Sequence, residues 1–217
     1  MKRMSLIFAL ALASATATAA DLNLNASSLK LKVYKMAVST SPLCTNLTTV
    51  IDNSSSPTEM ELVGSVNMGT GTIANGTYPC IVIEFSDIIK FKPSANSDTG
   101  NCSTGTEAQL DVCQSGTSAL IDGTTTTCTN GNDRVAMYIS TASTSTTGSD
   151  AFNAPTSLSD STKGFNLATA LTVSGSSSGK FIVNPDGKVC DGANGSCDGG
   201  GGSTCRLMPP LFSFTKL

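Results

Sequence analysis

Alternation of apolar and polar positions dominates the chain, and no long stretch carries a helical period. Leu29, Leu31 and Val33 alternate with Lys30 and Lys32, after which the apolar phase moves to Tyr34, Met36 and Val38. A one-residue change of phase inside a strand predicts a bulge near Tyr34. The segment Tyr78 to Phe85 (YPCIVIEF) is almost wholly apolar, the pattern of a central strand covered on both faces. Ile88 to Phe91 follows it, and Val135, Met137 and Ile139 alternate again. Phe165, Leu167, Thr169, Leu171 and Val173 keep strict alternation over nine residues, the cleanest strand signal in the chain. Phe181 with Val183 and Phe212 with Phe214 predict short strands near the end. Ala108, Leu110 and Val112 suit a helix or a strand over Thr106 to Cys113.

Between these segments lie clusters of Gly, Ser, Thr, Asn and Asp, the residues of turns and loops: Asp52 to Pro57, Ser94 to Thr106, Ser140 to Asp150 and Gly175 to Gly179. The expectation is an all-β chain with long polar loops and no internal repeat. Neither half alone has enough strands to close a core, so residues 21–217 read as a single β-sandwich domain. A Cys-rich insertion at about 94–132 interrupts it.

Four stretches carry a resemblance. Leu29 to Pro93 runs LKLKVYKMAVST, a polar loop, EMELVG, a Gly-Thr turn and IANGTYPCIVIEF. Its Gly-x-Tyr entry into an apolar strand resembles that of transthyretin-like and Cna-B-like Greek-key β-sandwiches. Further on, GFNLATALTVSG, GKFIVNPDGKV and CRLMPPLFSF resemble the later strands of an exported bacterial domain family of unknown function. The resemblance implies a transthyretin-like Greek-key sandwich used as a scaffold or adhesive module, and it carries over no catalytic residue. Eight cysteines and the long insertion depart from the family's pattern.

Composition sharpens this picture chiefly by exclusion. Charged residues make up 13% of the 217 positions and hydrophobic ones 39%, while Ser and Thr together make up roughly a quarter. There is no histidine, which excludes a Ser-His-Asp triad, a Cys-His pair and imidazole-ligated metals. The net charge of -3 argues against nucleic acid and anionic membranes as partners. Residues 1–20 read as a signal peptide: Lys2 and Arg3, an apolar run from Leu6 to Ala13, then Ala17-Thr18-Ala19 as the small residues before cleavage. That apolar run is too short to span a bilayer, so stable membrane insertion is not expected.

In an exported chain, an even set of cysteines implies disulfides. Cys44 and Cys80 form one group; Cys102, Cys113 and Cys128 a second; Cys190, Cys197 and Cys205 a third. If Cys44 pairs with Cys80, two groups of three remain, and full oxidation then requires a bridge between the middle and the end of the chain. The lack of any C-x-x-C pair disfavours zinc.

Few constellations could carry chemistry. Ser27-x-x-Lys30 and Ser177-x-x-Lys180 match S-x-x-K, but that motif works from a helix. Here one match leads into a strand and the other sits in a Gly/Ser loop. Glu59 with Glu61, and Glu84 with Asp87, are the paired carboxylates, better explained as strand faces and turns than as a sugar-cleaving pair. Asp186, Asp191 and Asp198 in NPDGKVCDGANGSCDGGGG are candidate calcium ligands on a Gly-rich loop. Asp-Gly pairs are equally ordinary turn formers. No other cofactor is expected.

These readings favour an exported, non-enzymatic structural or adhesive protein of the cell surface. A sharper form is a fibre subunit, in which the strand Leu29 to Val38, behind the leader Asp21 to Ser28, pairs with the sheet edge of a neighbouring copy; the favoured reading is that this strand closes its own sandwich. The alternative is an extracytoplasmic binding module for calcium, glycan or another small ligand, using the Asp186 to Gly202 or Ser140 to Ala154 loop.

Overall fold

The 14-residue strand β1 (Ala26–Ser39) organises the molecule. In a computed structural model, which describes residues 23–63, 72–147, 150–175, 179–192, 197 and 204–216, both of its edges are occupied by its own chain. Along one edge run β5 (Cys80–Ser86) and β6 (Ile88–Pro93), two strands of nearly continuous backbone that break only at Asp87. Along the other run β2 (Thr48–Asp52) and β3 (Glu59–Glu61). The expected bulge is present: pairing with β5 shifts between Val33 and Lys35. Because side chains alternate with period two, this extra residue lets Leu29, Leu31 and Val33 share a face with Met36 and Val38.

Outside β5 and β6 the sheet forks. β10 (Arg134–Ser140) pairs with β5, and β7 (Ala108–Asp111) pairs with β6. β7 decides the Thr106 to Cys113 segment as strand rather than helix, since its backbone groups complete the ladder with β6. At the fork, Asp87 donates its N–H to the Asp133 carbonyl and accepts at its own carbonyl from Val112 N–H, so the two branches meet at one residue. β11 (Phe165–Asn166) adds parallel to β10, and the result is a strongly curled, mixed half-barrel. Gly164 makes the tight entry to β11: its φ is +66°, and a Cβ there would lie 3.1 Å from the Tyr138 carbonyl oxygen.

Four small two-stranded sheets complete the described structure. β4 (Gly76–Tyr78) pairs with β12 (Leu171–Val173), β8 (Thr117–Ala119) with β9 (Thr125–Thr127), β13 (Gly179–Asn184) with β16 (Leu211–Lys216), and β14 (Val189–Asp191) with β15 (Cys205–Leu207). The strand expected over Phe165 to Val173 is therefore two strands with different partners. Alternation reports which way side chains face, and the chain changes sheets without losing phase.

All seven residues of β5 are buried, because both faces are covered. Ile81, Ile83 and Phe85 join the main core on the concave side with Leu29, Phe91 and Ile139. Cys80 and Val82 face a second cluster with Cys44, Ala136 and Tyr138 on the convex side. The β8–β9 hairpin covers that second cluster: Ser118 Oγ accepts from Ala136 N–H at 2.8 Å and the Tyr138 hydroxyl donates to the Ala119 carbonyl at 2.8 Å. The Cys-rich 94–132 segment thus supplies both a sheet strand and a lid on the sheet.

Four disulfides join Cys44–Cys80, Cys102–Cys205, Cys113–Cys128 and Cys190–Cys197. Given the first, Cys102–Cys205 is the bridge between middle and end that parity requires. Such a set is stable in an oxidising, extracytoplasmic environment. Residues 1–20, the expected signal peptide, lie outside the described residues, and no described helix is long and apolar enough to cross a membrane.

Candidate functional site

The curl of the sheet leaves a cavity of about 260 Å3 on its concave side, between the sheet and the C-terminal hairpins. Its walls are the inward positions of strands already described: Leu31 from β1, Phe85 from β5, Met137 from β10, Val183 from β13 and Phe212 from β16. Phe165 and Phe212 meet there with ring centroids 5.4 Å apart and planes tilted by 48°. Polar atoms are few. Apolar cavities smaller than this, about 150 Å3, stay dry and accept benzene.

The cavity adjoins a second, polar cleft of about 1000 Å3, and Leu110, Val112, Phe152 and Arg206 line both. Asp111 borders both as well, but alternation turns its side chain away from Leu110. Its carboxylate accepts from Cys113 N–H at 3.2 Å and faces Asp87 across the outer surface. Asp150, on the polar side, accepts from Asn153 Nδ2 at 2.9 Å. Arg206 is the one cationic side chain among the described residues lining either space.

Of the two loops expected to bind a ligand, part of Ser140 to Ala154 reaches this site through Thr147, Ala151 and Phe152. Asp160 ties that loop down through its backbone, its N–H donating to the Ala142 carbonyl at 2.9 Å and its carbonyl accepting from Thr144 N–H at 2.8 Å. Its carboxylate accepts N–H bonds from Thr156, Thr162 and Lys163, which keep its pKa far below the usual carboxylate range.

The calcium candidates do not converge in the described residues. Asp191 is fully buried and accepts from Ser97 Oγ at 2.5 Å, Asn101 N–H at 2.9 Å and Asn101 Nδ2 at 2.7 Å. It thereby locks the loop before Cys102 onto β14. Asp186 is exposed at a turn made by its own N–H and Asn184 Oδ1, and Asp198 lies outside the described residues. Among the described residues no group of three acidic or cysteine side chains is arranged to hold a metal ion.

The paired carboxylates separate into four structural roles. Glu59 pairs with Lys90. At Glu61 burial pushes the pKa up, but hydrogen bonds from Leu29 N–H, Ser28 Oγ and Val63 N–H outweigh it and hold the group low. Glu84 is fully buried and meets Arg134 Nη2 at 2.8 Å, while the Arg134 guanidinium lies 4.8 Å from the Tyr34 ring centroid. Asp87 is also fully buried. Burial, with Asp111 and Asp133 nearby, pushes its pKa up to about 6 despite the 2.8 Å bond from Asp133 N–H. Ser27 of the first S-x-x-K match lies in β1, and its hydroxyl donates to the Lys92 carbonyl at 3.2 Å.

Sequence reasoning missed Arg206, Phe152 and the cavity itself. A lone arginine in CRLMPPLFSF, and a lone carboxylate in YPCIVIEF, were the available signals: one charge in an apolar run is either partnered or placed for a purpose. No protein-family model, curated protein or solved structure matches the chain.

Proposed function

We propose that this protein is an exported, non-enzymatic structural or adhesive component of the cell surface. The observation that carries this reading is the cross-linking of polar, weakly charged loops to the curled sheet by four disulfides. Cross-linked loops of this kind resist unfolding and cleavage outside the cell. The reading keeps the transthyretin-like Greek-key sandwich as its architectural expectation, with the half-barrel as one layer and the C-terminal hairpins as the start of the other. If it forms fibres, the donor is not simply the leader strand: β1 is paired along both edges within its own chain, and Leu24 exchanges two 2.8 Å backbone bonds with Val189. Self-association would instead use the outer edge of β2 and β3, which has no partner strand among the described residues. The test is sedimentation and electron microscopy of the oxidised mature protein over a wide concentration range, with a cell-attachment assay. Polymers or saturable attachment support the proposal; a monomer that attaches to nothing overturns it.

A second reading, the extracytoplasmic binding module, is favoured by the concave cavity. Calorimetric titration with calcium, glycans and apolar ligands separates the two, since a purely structural subunit binds none of them.

A further inference from the structure

We propose that the concave cavity binds a neutral aromatic molecule the size of naphthalene, held by apolar contact alone inside the curl of the sheet. The inference rests on the binding-module reading above and names its ligand class.

The space belongs to the interior rather than to a surface groove. Leu29, Leu62 and Phe85, which line it and not the adjoining polar cleft, are each no more than 2% exposed. Among the described residues of its wall, only Asp111, Thr147 and Arg206 have polar side chains. Asp111 and Arg206 also line the polar cleft, which puts both at the rim where the two spaces meet. Arg206 is already engaged within the fold, and Asp111 accepts from Cys113 N–H at 3.2 Å. The body of the cavity therefore offers no partner to an ionic group, and burying one there is costly. Water suits it no better, because an ordered buried water needs about two to four polar partners. An apolar cavity of about 150 Å3 stays dry and takes up benzene. This one, at about 260 Å3, has room for a larger guest. A fold loses stability in proportion to the void it keeps, so an occupant that fills the space is favoured.

The wall also discriminates among apolar molecules. Four of the chain's eight phenylalanines, Phe85, Phe152, Phe165 and Phe212, line this one space. The 48° tilt between Phe165 and Phe212 presents ring edge as well as ring face, the arrangement that aromatic partners prefer over a parallel sandwich. Met137 adds a polarizable thioether, which adapts its shape and favours aromatic contact.

Calorimetric titration of the oxidised mature protein with naphthalene and with 2-naphthoate, the same ring body carrying a carboxylate, tests the assignment. One saturable naphthalene site is expected, with 2-naphthoate weaker by about tenfold or more because its charge is desolvated without a partner. Decalin, the saturated counterpart, should bind more weakly once each affinity is referred to its own transfer from water to alkane. Val183→Phe, which fills the cavity from β13 and leaves Arg206 untouched, should weaken naphthalene by about tenfold or more. A thermal melt and the free-thiol count confirm that the variant remains folded. If it does not fold, methyl chemical-shift mapping on the wild-type protein replaces it, with ring-current shifts expected at Leu31 and Met137. Absence of saturable naphthalene binding, equally tight binding of 2-naphthoate or of decalin on that scale, unchanged binding by Val183→Phe, or shifts confined to the outer face would each overturn the proposal. Silence with naphthalene beside saturable binding of calcium or a glycan removes this ligand class alone. Silence with all three removes the binding-module reading as well.

Discussion

On the outer face of one sheet, the half built on β5 and β10 is dry and the half built on β6 and β7 is wet. Cys80, Val82, Ala136 and Tyr138 lie beneath the β8–β9 hairpin and the Cys44 loop. Continuing along the same strands, Lys30, Lys32, Lys90 and Lys92 stand on an open face among Glu59, Glu61 and Glu107. Lys30 lies directly opposite Lys90, a repulsive register that is tolerated because each has a carboxylate partner, Glu107 at 3.4 Å and Glu59. The boundary between the halves is the bulge at Tyr34 and the fork at Asp87. A single strand pair can therefore be core along half its length and solvated surface along the rest, provided that the chain brings a lid to one half only. The lid comes from the segment that reads in sequence as a Cys-rich insertion.

If this contrast is right, perturbations of the dry half should dominate. Replacing Cys44 and Cys80 by Ser and Ala releases the loop that closes it. The 36-residue separation implies a loss of about 4 kcal/mol on the chain-entropy view, read as the midpoint of denaturant unfolding. Arg134→Ala strands the buried Glu84 carboxylate and should cost about 3 kcal/mol, somewhat less than a fully buried pair because Arg134 is a third exposed. Adding Glu84→Gln should restore most of that loss, and a double-mutant cycle measures the coupling.

Asp87, on the boundary, predicts a pH effect of up to about 3 kcal/mol. Its folded pKa, pushed up to about 6 chiefly by burial, lies above the unfolded value, so the folded protein binds the extra proton between about pH 4 and 6. Stability is full below that window and falls as pH rises through it. Asp87→Asn should flatten the slope in thermal melts from pH 4 to 8. Carboxylates held low by hydrogen bonds, such as Asp160, act in the opposite direction and only at more acidic pH, where their protonation weakens the fold. Tyr138→Phe removes the bond to Ala119 and should cost about 1 kcal/mol. The Tyr138 hydroxyl, pushed up to about 12 by burial and then by Glu84, should not titrate in absorbance until strongly alkaline pH. Smallest of all should be Lys90→Ala on the wet half, whose change in melting temperature disappears in added salt. A large Lys90 effect beside a negligible Arg134 effect would invert the comparison.

Much of this frame is legible along the chain. The phase change at Tyr34 marks the bulge, the continuous apolar run marks β5 as doubly covered, and parity marks a bridge from the middle to the end. Other features leave weaker traces or none. Strict alternation from Phe165 to Val173 conceals a change of partner, because facing is set by neighbours in sequence and pairing by neighbours in space. Asp191 reads as a loop ligand, yet its surroundings are Ser97 and Asn101, about ninety residues away in the chain. Nothing along the chain shows that Leu110, Phe152 and Arg206 share one opening.

By itself, then, the amino-acid order determined the all-β class, the position of the bulge, the doubly covered strand and the oxidising environment that an even set of eight cysteines implies. These follow from local periodicity and side-chain chemistry, which each residue carries wherever the chain folds. Only the tertiary structure decided which half of the outer face is covered, which carboxylates are buried, and that the curl encloses an apolar space ending at Arg206. Those outcomes depend on which distant segments meet, and a period-two pattern is the same whatever lies across from it.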